Sequence, residues 1–264
     1  MSGYFGTEVQ QRLQARAEEA AAFIAATPGA CQTGRTMGCD DPDRFGWAQI
    51  DEFLERDGVF GFRLLSAVKA REVGLRLEER GFRLDTWDVY LADRATALAA
   101  CAVILSDGLP DGSSSMHSPH DPDGDDTRRI QTLIAETGVV PFSGSLLVGR
   151  CGPAKTFALQ DREGRVVAAA HGYLPHNAHS PYRSHAWGGL VAVAAAQRGR
   201  GLGSCINALM IAGVMQDLQA THIYEIVSAS NAASRRMVAA CGLRHEPDLV
   251  SGIATPVSEE RFTR

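Results

Sequence analysis

Three glycines at alternate positions, directly after an apolar run, constrain this chain most. Residues 191–203 read Val-Ala-Val-Ala-Ala-Ala-Gln-Arg-Gly-Arg-Gly-Leu-Gly, and the helix-compatible segment SCINALMIAGVMQDL follows. Glycine lets the backbone bend sharply and approach a ligand closely. A helix that starts there aims its free N–H groups and the positive end of its dipole at an anion. The order of strand, glycine turn and helix therefore predicts a phosphate-binding site.

The spacing of the glycines limits which phosphate ligand fits. A mononucleotide loop needs a Lys after its last glycine, and the two lysines of this chain are Lys69 and Lys155. A dinucleotide turn needs G-x-G-x-x-G early in a βαβ unit and an acidic residue about 20 positions later. Here the spacing is G-x-G-x-G near the C-terminus, while Glu225 lies at a suitable distance. The dinucleotide interpretation is therefore weakened but stays open.

A third interpretation fits better. Arg198 to Gly203 form an R-x-x-G-x-G string that follows Val191 and Val193, and it resembles the acetyl-coenzyme-A pyrophosphate loop of the GNAT superfamily of N-acetyltransferases. The β-branched and aromatic segment 221–230, Asn231, a short helix and a Gly-Leu step resemble the end of the GNAT core. Upstream, 156–174 reads as two strands joined at 161–164. The resemblance covers about 155–245 and extends weakly to about residue 82.

The resemblance implies an α/β (α+β) GNAT fold, with a central mixed, mostly antiparallel sheet flanked by helices and a helical N-terminal extension. It implies an N-acyltransferase that moves an acetyl group from acetyl-CoA to a primary amine by direct attack. The strand backbone would bind the pantetheine arm, and the loop amides would bind the pyrophosphate. The implied cofactor-binding residues are Val191, Val193, Arg198, Gly199, Arg200, Gly201, Leu202, Gly203, Ser204, Asn231 and Ser234. Asn231 also suits a helix N-cap, and the two roles are compatible.

The catalytic groups are less well defined by the sequence. Many GNAT enzymes have a general-acid Tyr seven residues after the Asn, and Val238 stands there; the strand before the loop also has no carboxylate. His185, just before that strand, and Glu225, on the next strand, are the candidate catalytic residues. A histidine at such a position is more often an ordinary surface residue, and this interpretation of His185 stays open. A non-catalytic, CoA-binding sensory module and a nucleotide-binding protein remain alternative functions.

The segments outside the resemblance predict the rest of the organisation. Helix-favouring composition over 7–26 and apolar patterning over 47–56 and 66–80 predict a helical N-terminal region over 1–80, followed by a GNAT acetyltransferase domain over 81–264. Residues 82–92 read as a strand, taken as the first strand of that domain, and 93–105 as its first helix.

A competing interpretation rests on a short sequence similarity between two segments of the chain, which we call the echo. The string Glu-Arg-Gly-Phe-Arg at 79–83 is matched by Ala-Cys-Gly-Leu-Arg at 240–244, each after an amphipathic helix. On that reading, 1–92 is a decayed copy of the C-terminal half. Between the two halves, the Gly-, Ser-, Pro- and Asp-rich segment 106–127 predicts a mobile loop.

Composition narrows the functional class. The 264 residues carry a net charge of −5, which disfavours nucleic acid as a partner. No apolar run reaches the 18 or more residues that a membrane span needs. The N-terminus lacks a signal pattern and the six cysteines are scattered, so a cytoplasmic protein is expected. No metal is expected, because no His or Cys spacing matches a zinc site. The expected partner is a small-molecule or peptide amine, and a homodimer is compatible with the sequence.

Overall fold

The computed structural model describes residues 3–259. The helices are α1 (Glu8–Glu19), α2 (Ala21–Ala26), α3 (Pro42–Phe45), α4 (Trp47–Asp57), α5 (Ala67–Glu78), α6 (Arg94–Leu105), α7 (Asp125–Glu136), α8 (Gly144–Leu147), α9 (Leu202–Asp217) and α10 (Ala232–Ala240). The strands are β1 (Ala30–Gln32), β2 (Met37–Cys39), β3 (Phe60–Ser66), β4 (Phe82–Asp93), β5 (Ser113–Ser115), β6 (Ala154–Asp161), β7 (Val166–Tyr173), β8 (His185–Val193), β9 (His222–Val227) and β10 (Arg244–Pro256).

Side-chain caps explain where several helices begin. Ser66, Asp93 and Asn231 each accept a hydrogen bond from the backbone N–H three residues later, at the start of α5, α6 and α10. Thr7 and Gln10 form a capping box at α1. Each side-chain oxygen satisfies an N–H group that the first helical turn leaves unpaired. These polar residues before apolar segments set the helix boundaries locally.

The strands described form a single mixed sheet in the order β1-β2-β3-β10-β4-β9-β8-β7-β6-β5. The pairs β2–β3 and β8–β9 are parallel, and the other neighbouring pairs are antiparallel. The expectation of a mixed, mostly antiparallel sheet flanked by helices is therefore confirmed.

The order of the eight strands β1 to β4 and β7 to β10 is symmetric about the β10–β4 pair. Strands β1, β2, β3 and β10 are followed by β4, β9, β8 and β7, so that each strand of one half has a counterpart in the other. In both halves the parallel pair is joined through helices, and a further helix precedes the last strand. The last strand of the N-terminal half, β4, lies beside the last strand of the C-terminal half, β10, and the two pair antiparallel. On its other side, β4 pairs with β9 of the C-terminal half, and β10 pairs with β3 of the N-terminal half.

The N-terminal region differs from the expectation. The predicted helix over 7–26 is divided into α1 and α2, α3 lies in the predicted loop over 28–46, and β1, β2 and β3 extend the sheet. Every residue of β1 and β2 is buried, and β3 is buried on both faces up to Ser66. Strands covered on both faces do not show the apolar alternation that identifies a half-exposed strand in sequence.

Residues 82–92 form a strand as expected, and 94–105 a helix, but the position of the strand was not foreseen. β4 lies between β9 and β10 in the sheet, after α5 and the left-handed Gly81. β10 follows α10 and the left-handed Gly242 in the same way. The position of β4 therefore matches the echo between the two halves.

The segment 106–127 contains more order than its composition suggested. Ser113–Ser115 form β5 at the edge of the sheet and pair with β6. Pro119 and Pro122 are buried, and the Thr127 hydroxyl donates to the carbonyl of Asp121 at 2.6 Å. An edge strand needs only main-chain hydrogen bonds on one side, so serines can form it without an apolar face.

The largest apolar cluster lies where α6 and α9 cover the sheet. α9 has a buried surface nearly all round, with Ile206, Met210, Ile211 and Val214 inaccessible to solvent. A helix that is apolar on most sides must be enclosed. This packing fixes the N-terminus of α9 against the end of β8.

Candidate functional site

The parallel strands β8 and β9 separate and open a cleft. They pair only from His185 with His222 to Trp187 with Tyr224, although both strands continue further. Beyond that point β8 has a bulge against β7, and Leu190 adopts a left-handed φ of 52°. A bulge bends its strand and increases the local twist. The resulting cleft has a volume of about 770 Å³.

The glycine loop forms one end of this cleft. Gly199 and Gly201 have φ angles of +77° and +80°, which side chains rarely adopt, and a Cβ on either would meet open space. Gly201 is the N-cap of α9 and offers no side chain to its first N–H groups. These groups have no partner within the helix. Backbone donors and the positive helix end therefore meet an open space, which suits an anion.

The structure places almost all the implied cofactor-binding residues along this cleft. Its walls include Val191, Val193, Arg198, Gly199, Gly201, Leu202, Gly203, Ser204, Asn231 and Ser234. Arg200 is the exception, because its guanidinium group turns away, bonds to Gln197 and donates to the carbonyl of Asp111 at 3.2 Å. The backbone of Arg200 remains within the loop.

Asn231 has the two features that its position in the sequence suggested. Its Oδ1 accepts a hydrogen bond of 3.0 Å from the backbone N–H of Ser234, which caps α10. Both residues also line the cleft. The cap uses the oxygen of the side chain and leaves the Nδ2 group exposed.

Glu225 is an acidic residue in the wall of the cleft. Its side chain is 3% exposed, and Asn207 of α9 donates a hydrogen bond of 2.8 Å to its Oε1. Burial raises the pKa of Glu225 to about 7, although the hydrogen bond from Asn207 opposes the shift. A carboxyl group with this pKa exchanges protons near neutral pH. Asn207 was not foreseen, because an Asn inside an apolar helix gives no motif.

His185 lies elsewhere in the described structure. It stands at the paired end of β8, where its ring stacks on His222 with centroids 4.3 Å apart, and it is not part of the cleft wall. Burial, and then the neighbouring histidines, lowers the pKa of His185 to about 4. Of the two candidate catalytic residues, Glu225 lies in the wall of the cleft and His185 does not.

Val238, at the position where many GNAT enzymes have a Tyr, faces the interior. It is fully buried in the apolar cluster beneath α9 and α6, whereas Met237 next to it lines the cleft. A side chain at 238 therefore points away from the cleft. Sequence spacing alone could not give this direction.

A buried polar network, not foreseen from the sequence, joins the N-terminal region to β9. His176 Nδ1 lies 2.6 Å from Asp40 Oδ2, and His176 Nε2 lies 3.2 Å from the Tyr224 hydroxyl. Ser180 donates to the same Asp40 oxygen at 2.6 Å. Asp40, the 176–180 segment and Tyr224 are each separated by more than 40 positions in sequence, so only the fold brings them together.

Within residues 3–259, no three His, Cys, Asp or Glu side chains form a group that could hold a metal ion. Over the same residues, no helix is both long and apolar enough to cross a membrane.

Comparisons with known proteins identify the fold. No protein-family model matches the chain, and no curated protein matches it. A GCN5-related N-acetyltransferase from Kribbella flavida matches with 14% identity and a TM-score of 0.56, covering 89% of this chain and 80% of that one. A Drosophila protein matches with 14% identity and a TM-score of 0.60, covering 98% and 92%.

A third solved structure is a tandem GNAT protein from the clavulanic acid biosynthesis pathway, solved without acetyl-CoA. It is 11% identical, with a TM-score of 0.52, and the match covers 93% of this chain and 89% of that one. The described chain therefore has the fold of the GCN5-related N-acetyltransferases.

Proposed function

We propose that this chain transfers an acetyl group from acetyl-CoA to a primary amine by direct attack of the amine on the thioester. The observation that carries the proposal is the position of the glycine loop. It lies at the N-terminus of α9 and opens onto the cleft between the separated strands β8 and β9. The GNAT fold is consistent with this arrangement.

The loop suits a diphosphate. Gly199 and Gly201 leave open space where a Cβ would stand, so a ligand can approach the backbone closely. The N–H groups of 202–204 would donate to phosphate oxygens, and Arg198 at the same end of the cleft adds positive charge.

The free edge of β8 suits the extended pantetheine arm. Ala192 and Val193 pair with β7 on one side, while the side facing β9 has lost its partner beyond Trp187. An extended chain with amide groups can bind such an edge as an added strand. The arm would then carry the thioester from the glycine loop toward the middle of the cleft.

Glu225 would accept the proton that the attacking amine loses. Acetyl-CoA supplies an acyl thioester, so that the amine nitrogen bonds the acyl carbon, the carbon–sulfur bond breaks and the thiolate leaves. The attacking amine must first lose a proton, and Glu225, with a pKa of about 7, can accept it near neutral pH. Asn207 holds the carboxyl group in position through its Oε1. A thiolate leaves without a strong acid, so a Tyr at position 238 is not required.

Turnover tests the proposal. Acetyl-CoA and a panel of small-molecule and peptide amines would be incubated with the protein, and thiol release would be recorded. We expect amine-dependent release and an acetylated product detected by mass spectrometry. CoA binding without turnover on any amine would contradict the proposal and support a non-catalytic CoA-binding sensory module, which the buried Val238 also suits.

A further inference from the structure

The end of the cleft opposite the glycine loop is built by the N-terminal half. The turn between β1 and β2, residues 33–36, and strand β3 provide its wall, where they meet Trp187 of β8 and Phe142. Two arginines, Arg35 from the turn and Arg63 from β3, line this end. The expected acceptor of an acyl group would lie here, beyond the thioester.

Arg63 is buried with part of its guanidinium group unused. The residue is 7% exposed, and its Nη2 donates to the carbonyl of Thr33 at 3.2 Å. The group lies over the Trp187 ring, 5.6 Å from its centroid. Its Nε has no hydrogen-bond partner among the described residues. Buried donors are nearly always paired in proteins, so an unpaired one at a cleft wall is available to a ligand.

Arg35 holds a second positive charge close by. Its Nε donates to the carbonyl of Val140 at 2.7 Å, and its guanidinium group lies over the Phe142 ring at 5.1 Å. Burial, and after it the positive charge of Arg63, lowers the pKa of Arg35 to about 10. Both groups therefore remain charged at neutral pH and repel each other.

No carboxylate of residues 3–259 forms an ion pair with either arginine, since none lies within 4.0 Å of a guanidinium nitrogen. Asp40, also in this interior, bonds to His176 and Ser180. Tyr173, next to Arg63, stays neutral because burial raises its pKa to about 12. A buried charge without a partner costs free energy, which a bound anion would recover.

We propose that Arg35 and Arg63 bind a carboxylate of the acceptor, so that the acceptor is an amine that also carries a carboxylate, as an amino acid does. The planar guanidinium fork suits bidentate contact with a carboxylate. The acceptor would be held by its carboxylate at this end, with its amine directed toward the thioester and Glu225. The inference rests on the proposed function and assigns the substrate class of the same site.

Calorimetry on the CoA-saturated protein tests the inference without turnover. The titrants are matched pairs of product analogues: N-acetylglycine with N-methylacetamide, N-acetyl-L-phenylalanine with N-phenethylacetamide, and Nα-acetyl-L-lysine with N-acetylcadaverine. We expect at least one carboxylate member to bind tenfold or more tightly than its partner, which corresponds to about 1.4 kcal/mol. Equal affinity within every pair would overturn the inference.

Substitutions of the two arginines test whether they bind the carboxylate. Arg63→Met and Arg35→Met should each reduce the carboxylate preference to less than threefold and leave the dissociation constant of CoA within twofold of the wild type. Arg12→Met, at an exposed position of α1, is the matched control and should keep the preference. Where Arg63→Met does not fold, Arg63→Lys retains the charge without the fork and should lose at least half of the preference. A folded variant that binds CoA normally and keeps the full preference would contradict the assignment.

Two further outcomes are distinguishable. If succinyl-CoA binds tenfold more tightly than acetyl-CoA, and Arg63→Met removes this difference while the acceptor pairs show none, the carboxylate belongs to the donor and the acceptor assignment is wrong. If the wild-type protein does not bind CoA at all, the proposed function fails, whatever the arginines bind.

Discussion

At the residue scale, the proposed acetyl transfer depends most on the ionisation of Glu225. The pKa of Glu225 is about 7. We therefore expect the rate of amine-dependent thiol release to rise with pH through about 7 and then to level off, as Glu225 loses its proton. Glu225→Gln keeps the acceptor for Asn207 but cannot take a proton. We expect its kcat to fall by about 10²–10⁴, with the rise near pH 7 lost. An unchanged pH–rate profile in this variant would remove Glu225 from the reaction.

The same pKa affects stability. The folded state binds more protons than the unfolded state between the ordinary value of 4.5 and about 7, so stability falls as pH rises through this window. Glu225→Gln removes this dependence. Relative to the wild type, we expect its free energy of unfolding to increase by up to about 3 kcal/mol between pH 4.5 and pH 8. Urea denaturation at both pH values measures this, and a difference that is independent of pH would contradict it.

Individual residues also show where sequence is informative. The glycines and Asn231 could be assigned because their roles are local: a left-handed turn and a helix cap depend on neighbouring residues alone. Arg35 and Arg63 gave no signal, because their positions at the cleft depend on how β1, β2 and β3 join the sheet. Their importance comes from what surrounds them, which is distant in sequence.

At the scale of elements, α10 also shows which features a sequence pattern can predict and which it cannot. Its start at Asn231 was predicted, but the direction of Val238 was not, because that depends on how the helix packs against α9. The N-terminal strands were missed for a related reason: they are buried on both faces and show no alternation. The capped starts of α1, α5, α6 and α10 were located to within a few residues, whereas the capped four-residue helices α3 and α8 were missed.

The packing of α10 makes a prediction for Val238→Tyr. Since Val238 is fully buried among apolar side chains, a Tyr overfills the core and leaves its hydroxyl without a partner. We expect a loss of about 1–3 kcal/mol in the free energy of unfolding and no gain in rate. Val238→Phe, the control without the hydroxyl, should lose less. A faster, stable Tyr variant would show that the side chain reaches the cleft.

At the scale of the whole molecule, the two halves share one sheet. The palindromic strand order, with β4 and β10 at its centre, supports the hypothesis that residues 1–92 are a decayed copy of the C-terminal half. In the N-terminal half, the segment after β2 is not a glycine loop: it reads Asp-Asp-Pro-Asp, whose charge opposes a phosphate. The N-terminal half instead supplies residues 33–36 and part of β3 to the wall at the other end of the cleft.

This shared sheet predicts cooperative unfolding. Because β10 pairs with both β3 and β4, the N-terminal region cannot unfold without exposing the edge of the C-terminal half. We expect a single calorimetric transition whose measured enthalpy equals the van't Hoff enthalpy. Two resolved transitions would show that residues 1–80 form an independent domain.

Every role proposed for the cleft depends on the binding of CoA by the glycine loop, and one calorimetric comparison tests this binding. Gly201→Glu places an anion where the pyrophosphate would lie, and Gly81→Glu is the matched control, with a φ of +77° against +80°, open space at the Cβ and a position outside the cleft. We predict that CoA binds the wild type and Gly81→Glu with similar affinity, in preference to NAD or ATP, and that Gly201→Glu binds more than tenfold more weakly, a loss above about 1.4 kcal/mol. Unchanged CoA affinity in a folded Gly201→Glu protein, or tighter binding of NAD or ATP to the wild type, would contradict the account.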